Sequence, residues 1–434
     1  MDAVNSEPLH ILYEDNHLLV VEKPANIPVQ ADASGDEDLL SRCKAYIKEA
    51  YHKPGEVYLG LVHRLDRPVG GVMVFARTSK AAARLTAQFQ NRQAKKRYAA
   101  IVEGDPQAKD TLIDWLLKDE STNTSRVVPE GTEGAKRAVL DYRTLARDGK
   151  TALLDVSLGT GRPHQIRVQL SSRHLPIAGD MRYNPAARPG NQIRLWAYLL
   201  TIQHPTLGEP LTFFSTPPWK EFPAATALLP AAEVCSGVYL DEDMLVVDKQ
   251  PGVEVEDGLL GALSGLYDPL YPVHRLDANT EGLVCFARTE PMRDALEDAF
   301  YRHDTQKVYH AVLCGVPKAG RYVHFAKKDA DAATMRLCRE KEPGAQRMEL
   351  AIAVLDRKND LSLCEITLFT GRTHQIRVQC AALGTPVLGD DKYGDRERNK
   401  KYRVRRQQLL AKRLTVAGKT FVSEKELRLS EYKV

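Results

Sequence analysis

The sequence of 434 residues contains no apolar run of about 18 residues, the length a helix needs to cross a bilayer. Its most apolar mid-chain stretch, Ile193 to Ile202, carries Arg194 and is too short to span one. The opening residues are acidic and polar (Asp2, Asn5, Glu7), with no basic segment leading into an apolar one, so no export signal is expected. The seven cysteines include no C-x-x-C pair, and their odd number does not complete a disulfide framework. Cys285, Cys314, Cys364 and Cys380 stand inside apolar runs, as buried reduced thiols do. These absences argue against a membrane-spanning or disulfide-stapled protein and lead us to expect a cytoplasmic one. There is also no phosphate-cradling glycine loop and no nucleophile-elbow serine. A net charge of +4 is too small to announce a nucleic-acid partner. Charge is clustered, however, at Lys95-Lys96-Arg97 and again at Arg403, Arg405, Arg406, Lys412 and Arg413, patterns that suit either a solvated face or RNA.

What the chain does have is itself, twice. Leu61-Val62-His63-Arg64-Leu65-Asp66 recurs as Pro272-Val273-His274-Arg275-Leu276-Asp277, and Phe75-Ala76-Arg77-Thr78 as Phe286-Ala287-Arg288-Thr289. Gly161-Arg162-Pro163-His164-Gln165-Ile166-Arg167 recurs as Gly371-Arg372-Thr373-His374-Gln375-Ile376-Arg377. Asp277 follows Asp66 by 211 positions and Arg377 follows Arg167 by 210, a register that chance does not hold across separated motifs. The openings Leu18-Leu19-Val20-Val21-Glu22-Lys23-Pro24 and Met244-Leu245-Val246-Val247-Asp248-Lys249 match at a larger offset, 226, so the first copy holds an insertion ahead of its His-Arg-Leu-Asp. Leu39, Leu40, Cys43, Tyr46, Ile47 and Ala50, spaced by threes and fours, predict a helix within it. The duplication predicts domains at 7–217 and 235–434, joined by a Pro- and Ala-rich linker at 218–234.

Within each copy, Leu18 to Val21, Val72 to Phe75 and Ala152 to Val156 read as buried strands. Ser79 to Gln90 reads as a helix capped by Ser79, with a counterpart beginning at Thr289. The His-Gln-Ile-Arg segments read as helix starts, stopped by Gly384 and Pro386 in the second copy and by His174 and Pro176 in the first. Short strands without regular helical alternation favour an α+β fold, a mainly antiparallel sheet flanked by helices.

Asp66 and Asp277 each close an apolar run just before a turn, a place suited to catalysis and equally to turn capping; the shared context of the two copies favours catalysis. Tyr98 follows Asp66, and Tyr309 follows Asp277, at one identical spacing and on an expected strand, fit to stack on a base or to be ordinary core tyrosines. Arg167 and Arg377 are expected to pair bidentately with the aspartates and keep them ionised, and Arg64 and Arg275 to share the aspartate's strand face. His63 with His164, and His274 with His374, raise the thought of a metal. No H-x-x-x-H pair occurs, and adjacent arginines would oppose a cation, so no metal is expected.

With these residues the chain resembles the RluA family of pseudouridine synthases. The signature is His-Arg-Leu-Asp before a Gly-containing turn, Lys-x-Tyr, Gly-Arg-x-His-Gln-Ile-Arg, and a following Gly-Asp-x-x-Tyr, here Gly179-Asp180-Met181-Arg182-Tyr183 and Gly389-Asp390-Asp391-Lys392-Tyr393. Both copies carry every element, and the likeness spans nearly the whole chain. It implies two tandem catalytic domains, each a mixed, mainly antiparallel sheet with a central cleft, isomerising uridine in RNA without cofactor or metal. Asp66 and Asp277 would then trigger glycosidic cleavage. Tyr98 and Tyr309 would stack on the freed uracil and assist removal of its C5 proton, and Arg167 and Arg377 would hold the carboxylates. Arg64 and Arg275 would fill the gap left by the flipped nucleotide. His63, His274, Arg162, His164, Arg372 and His374 would contact RNA. The tandem arrangement departs from relatives that carry one catalytic domain, as does an opening with no separate RNA-binding appendage.

Three functions follow from this reading. Both halves act, on ribosomal RNA ahead of transfer RNA; one half acts and the other binds RNA; or the chain is a non-catalytic RNA-binding or folding factor. Retention of two full residue sets favours the first. No membrane partner is expected, and the sequence leaves the oligomeric state open.

Overall fold

The computed structural model describes residues 8–329 and 334–432; the acidic opening at Asp2, Asn5 and Glu7 lies outside them. The chain divides into two compact units, Met1–Pro230 and Ala231–Val434. Among the described residues no helix is long and apolar enough to cross a membrane. All seven cysteines are free, and all but Cys338 are buried.

Among the described residues the first unit holds eleven strands: β1 (His10–Glu14), β2 (Leu18–Lys23), β3 (Gly60–Leu61), β4 (Gly70–Ala76), β5 (Lys95–Glu103), β6 (Lys109–Asp119), β7 (Thr124–Val128), β8 (Lys136–Arg147), β9 (Thr151–Leu158), β10 (Leu195–Gln203) and β11 (Pro210–Phe214). They form one sheet in the order β1-β2-β4-β10-β5-β9-β8-β6-β7, with β3 on β4 and β11 on β10. Every pairing is antiparallel except β4 with β10. The second unit repeats the sheet strand for strand, with the parallel pair between Glu281–Ala287 and Leu409–Val416. The α+β, mainly antiparallel expectation describes both units.

The central strands are buried on both faces, which is why they read as continuous apolar runs. Alternation sends Leu19, Val21, Met73 and Phe75 into one core and Leu18, Val20, Val72 and Val74 into another. Helix α1 (Leu39–Ala50) covers the first through Leu39, Cys43 and Ile47. Helix α2 (Ser79–Gln90) covers the second through Ala81 and Leu85. Burying Leu85 completely is worth about 1.5–3 kcal/mol. The cap of α2 is Thr78, whose hydroxyl accepts the Ala81 amide, rather than Ser79, which is already helical.

Helix α3 (Gln165–Ser171) starts at His164, whose φ of +53° lies in the left-handed region. Its copy Gln375–Ala382 starts identically at His374. The chain leaves the helices through left-handed residues too, His174 in one copy and Gly384 in the other. One glycine of the turn after each aspartate is obligatory. At Gly71 (φ +122°) a Cβ would lie 2.2 Å from the Ala197 carbonyl oxygen, and at Gly282 2.4 Å from that of Ala411, so β4 and its counterpart approach their parallel partners only without a side chain.

The stretch expected as a linker carries secondary structure. Pro223–Ala227 is a short helix, and Trp219, Phe222, Ala225 and Leu229 pack on Trp196 and Tyr198 of the first unit. Apolar residues among the prolines, not the prolines, decide the outcome. The first unit therefore extends past residue 217.

Candidate active site

The His-Arg-Leu-Asp segment lies in the loop between strands, because β3 ends at Leu61 and β4 begins at Gly70. Asp66 is therefore a loop residue, and Arg64 shares no strand face with it. The Asp66 carbonyl accepts the Val69 amide to close the turn, and that of Asp277 accepts the Thr280 amide. Each side chain is left for other work, so the turn-capping role falls to the backbone.

What the carboxylate meets is an arginine shared with a second aspartate. Arg167 donates through Nε and Nη2 to both oxygens of buried Asp180, at 2.8 and 2.6 Å, and through Nη1 to Asp66 Oδ2 at 3.2 Å. In the second unit Arg377 binds both oxygens of Asp390 at 2.6 and 2.9 Å and reaches Asp277 Oδ2 at 3.0 Å. The bidentate partner expected to be the cleft aspartate is thus its neighbour in the Gly-Asp-x-x-Tyr motif. The physical reason is geometric: a guanidinium offers one two-pronged face, and Asp180 sits behind it in the protein while Asp66 faces the cleft. Burial works against the Arg167 charge, but hydrogen bonds and charge from Asp180, with a smaller share from Asp66, outweigh it and raise its pKa; Arg377 is raised likewise. Burial also disfavours the carboxylate of Asp390, yet Arg377 and the Tyr393 and Lys392 amides hold it below the ordinary range.

His164 closes the other side. Its Nδ1 shares a hydrogen bond with Tyr183 Oη at 2.8 Å, and Nε2 lies 3.8 Å from Asp66 Oδ2. His374 repeats this with Tyr393 at 2.9 Å and Asp277 at 3.9 Å. Desolvation lowers both imidazole pKa values despite the nearby carboxylates. The left-handed backbone at His164 is strain kept in both copies where the ring must turn toward the aspartate.

Beneath lie Tyr98 and Tyr309, buried; burial first, then the aspartate's charge, raises their phenol pKa far above its ordinary value. Their buried aromatic faces are suited to stacking. Lys23 is completely buried and donates to the carbonyl oxygens of Pro24, Arg67 and Val69 at 2.7 to 3.0 Å, clamping the turn behind Asp66. Desolvation pushes it down to about 7, and Lys249, clamping Ala278, Val253 and Gln250, to about 8.

Other expected RNA contacts have internal partners. His63 Nε2 accepts the Val74 amide and its ring stacks on Phe89; His274 does the same with Cys285 and Phe300. Burial pushes both down to about 3, so they are neutral clasps tying the loop to the strand that follows it. The Arg162 and Arg372 amides donate to Gln165 and Gln375, fixing the helix entry, and Arg162 Nε also donates to the Arg137 carbonyl. Arg64 stands exposed at the cleft of the first unit, whereas exposed Arg275 lies 3.8 Å from Glu256. Three contributors received no role from the sequence: the Gly-Asp aspartate, its tyrosine and the buried lysine. The signal was available, since Asp180, Tyr183 and Lys23 all recur in register.

The clefts over these constellations differ. The first encloses about 1470 Å³, and Arg64, Arg92, Lys96, Arg162 and Arg182 are among its lining. The second encloses about 340 Å³ and carries Glu254, Glu256 and Asp391 on its walls.

Two segments of the chain, residues 17–172 and 243–382, match the family model described as RNA pseudouridylate synthase. The chain is 35% identical over 205 residues to an uncharacterized RNA pseudouridine synthase of Bacillus subtilis, covering 46% of this chain and 66% of that protein. It is 34% identical over 221 residues to the ribosomal large subunit pseudouridine synthase D of Zymomonas mobilis, covering 48% and 68%. With the tRNA pseudouridine synthase C of Pectobacterium carotovorum it shares 30% identity over 233 residues, covering 49% and 60%. Each match thus takes in about half of this chain and leaves between 32% and 40% of the relative unmatched.

Proposed function

Because this chain belongs to the RNA pseudouridylate synthase family, isomerases acting on RNA, and bears the family's motifs twice, we propose that both halves convert uridine to pseudouridine in structured RNA, ribosomal RNA ahead of transfer RNA. One observation carries this reading: the aspartate, its shared arginine and the histidine recur in both halves at nearly the same separations. Arginine to aspartate is 3.2 Å in one half and 3.0 Å in the other, and histidine to aspartate 3.8 and 3.9 Å. A binding module would have no need of a buried arginine–aspartate pair aimed at a third, cleft-facing carboxylate.

In this reading Asp66 and Asp277 are the catalytic carboxylates that start scission of the N1–C1′ bond. The N1–C1′ bond pair stays on the uracil, which turns over the ring of Tyr98 or Tyr309; C5 bonds to C1′, and the C5 proton is relayed to N1, so the product is an isomer with no net gain or loss of protons. Arg167 and Arg377 orient the carboxylate, and burial of the floor keeps water from the detached base. Arg64 and Arg275, exposed beside the aspartates, occupy the vacated base position. The ribosomal preference rests on the large-subunit relative; the transfer-RNA relative is matched over less of its own length.

The test is pseudouridine mapping of total RNA from cells lacking the gene, re-expressing the parent, Asp66→Asn or Asp277→Asn. Each variant is expected to lower its own sites about 10²–10⁴-fold and leave the other set intact. Sites lost only with Asp66→Asn, and none with Asp277→Asn, would favour one active half plus an RNA-binding half, a reading the narrow second cleft supports. No change under any variant would overturn the enzymatic reading and leave a non-catalytic RNA-binding factor.

A further inference from the structure

The second basic cluster of the sequence splits in the structure. Lys412 donates to the Ser423 and Lys425 carbonyls, and Arg413 lies 4.0 Å from Glu365, so both are used within the sheet. Residues 396–406 remain, with seven basic residues against one acidic, Glu397. They form the helix Arg396–Lys401 and the loop after it. Tyr402 is buried and Val404 packs behind it, which turns Arg403, Arg405 and Arg406 outward. On the helix the basic residues sort by partner: Arg398 and Lys401 lie against Asp360, while Arg396 and Lys400 are exposed and no carboxylate pairs with them among the described residues.

This edge is continuous with the aspartate–arginine constellation of the second unit. Asn399 donates to the Asp390 carbonyl at 3.0 Å and accepts the Gly389 amide at 2.7 Å. Asp390 is the bidentate partner of Arg377. A Cβ on Gly389 would lie 1.9 Å from the Arg406 carbonyl oxygen, so the loop is seated directly on the Gly-Asp turn. Gln407, next in the chain, lines the cleft. The corresponding stretch of the first unit, residues 184–191, has one basic residue, Arg188.

Positive charge is therefore placed differently in the two units: the first cleft is lined by many cations, whereas in the second Arg275, Arg377 and Lys392 share the wall with Glu254, Glu256 and Asp391 and a further basic cluster stands beside it. Five outward cations fixed to one rigid edge repel one another unless a polyanion lies across them. We propose that residues 396–406 are the RNA-backbone docking edge of the second unit, holding phosphates through Arg396, Lys400, Arg403, Arg405 and Arg406 and delivering the strand to the narrow cleft. The proposal rests on the RNA-directed function above but concerns binding, which is measured without turnover.

The experiment measures affinity of the full chain for a fluorescein-labelled RNA stem-loop across a KCl series. Parent is compared with the variant Arg396→Gln, Lys400→Gln, Arg405→Gln, Arg406→Gln; Arg403 is kept because its φ of +56° closes the helix. The variant is expected to bind about tenfold more weakly or worse, with a salt slope shallower by roughly one for each phosphate no longer held. Lysine at the three arginine positions restores the slope. A thermal melt matching the parent shows that the variant is folded. A 4-thiouridine stem-loop is expected to cross-link within 396–406. Unchanged affinity and slope in the folded variant overturns the proposal, as does protection of this edge by polyglutamate but not by RNA, which would indicate an acidic protein partner. Arginine-dependent binding together with no pseudouridine at any site would sink the catalytic reading and leave this edge standing.

Discussion

The two units are alike where they are buried and different where they are wet. Arg167 and Arg377 hold their two aspartates in the same way, and the histidine–tyrosine hydrogen bond is 2.8 Å in one unit and 2.9 Å in the other. Around this, Pro28, Gln30 and Ala31 of the first unit are replaced by Glu254, Glu256 and Asp257. The first cleft is roomy and basic; the second is narrow, with acidic residues on its wall. Residues packed on a shared core cannot move independently, whereas exposed positions exchange charge at little cost to folding. On the proposed function, then, burial holds the chemistry constant and the rim is where the two halves diverge in their choice of RNA.

The likeness of the units is tested most severely at the hidden aspartates. Asp180→Asn and Asp390→Asn each leave a buried guanidinium short of a counter-charge, which costs about 3–5 kcal/mol. A thermal melt is expected to show the larger loss for Asp180→Asn, because Arg377 also donates to Asp391 at 3.1 Å. Equal losses would mean that Asp391 contributes nothing.

The buried lysines separate the units by pH. A folded-state pKa of about 7 for Lys23, against 10.5 unfolded, means that the unfolded chain binds more protons between those values. Stability therefore rises with pH across that window. The stability of the parent relative to Lys23→Met is expected to climb from pH 7 toward 10, and relative to Lys249→Met only from about pH 8. Denaturant titrations at several pH values check this, and a difference independent of pH would show that the lysines are not desolvated as the structure has them.

A milder change is expected on the rim. Glu256→Gln releases Arg275, and low-salt RNA affinity should rise about two- to fivefold, as befits an exposed ion pair. Gln30→Glu in the first unit should weaken binding by a similar factor. If neither changes binding, the acidic rim has no part in RNA selection.

Local pattern was enough to reveal the duplication, the buried strands, helix α2 and the cleft aspartate with its arginine, because apolar period and recurring motifs are written in short stretches of chain. Asp180 and Lys23 stayed without roles although both recur in register, since a residue's partners depend on which segments the fold brings together. A linker was expected where apolar residues among prolines found a sheet face to cover, and a strand end where Asp66 sits on a loop. It took the folded chain to turn the two-pronged face of Arg167 to Asp180 and a single N–H to Asp66. The fold also sorted the basic residues into those neutralised within the sheet and those standing beside the second cleft. Hydrogen-bond direction and cleft volume arise from packing between segments far apart in the chain, and no local pattern encodes them.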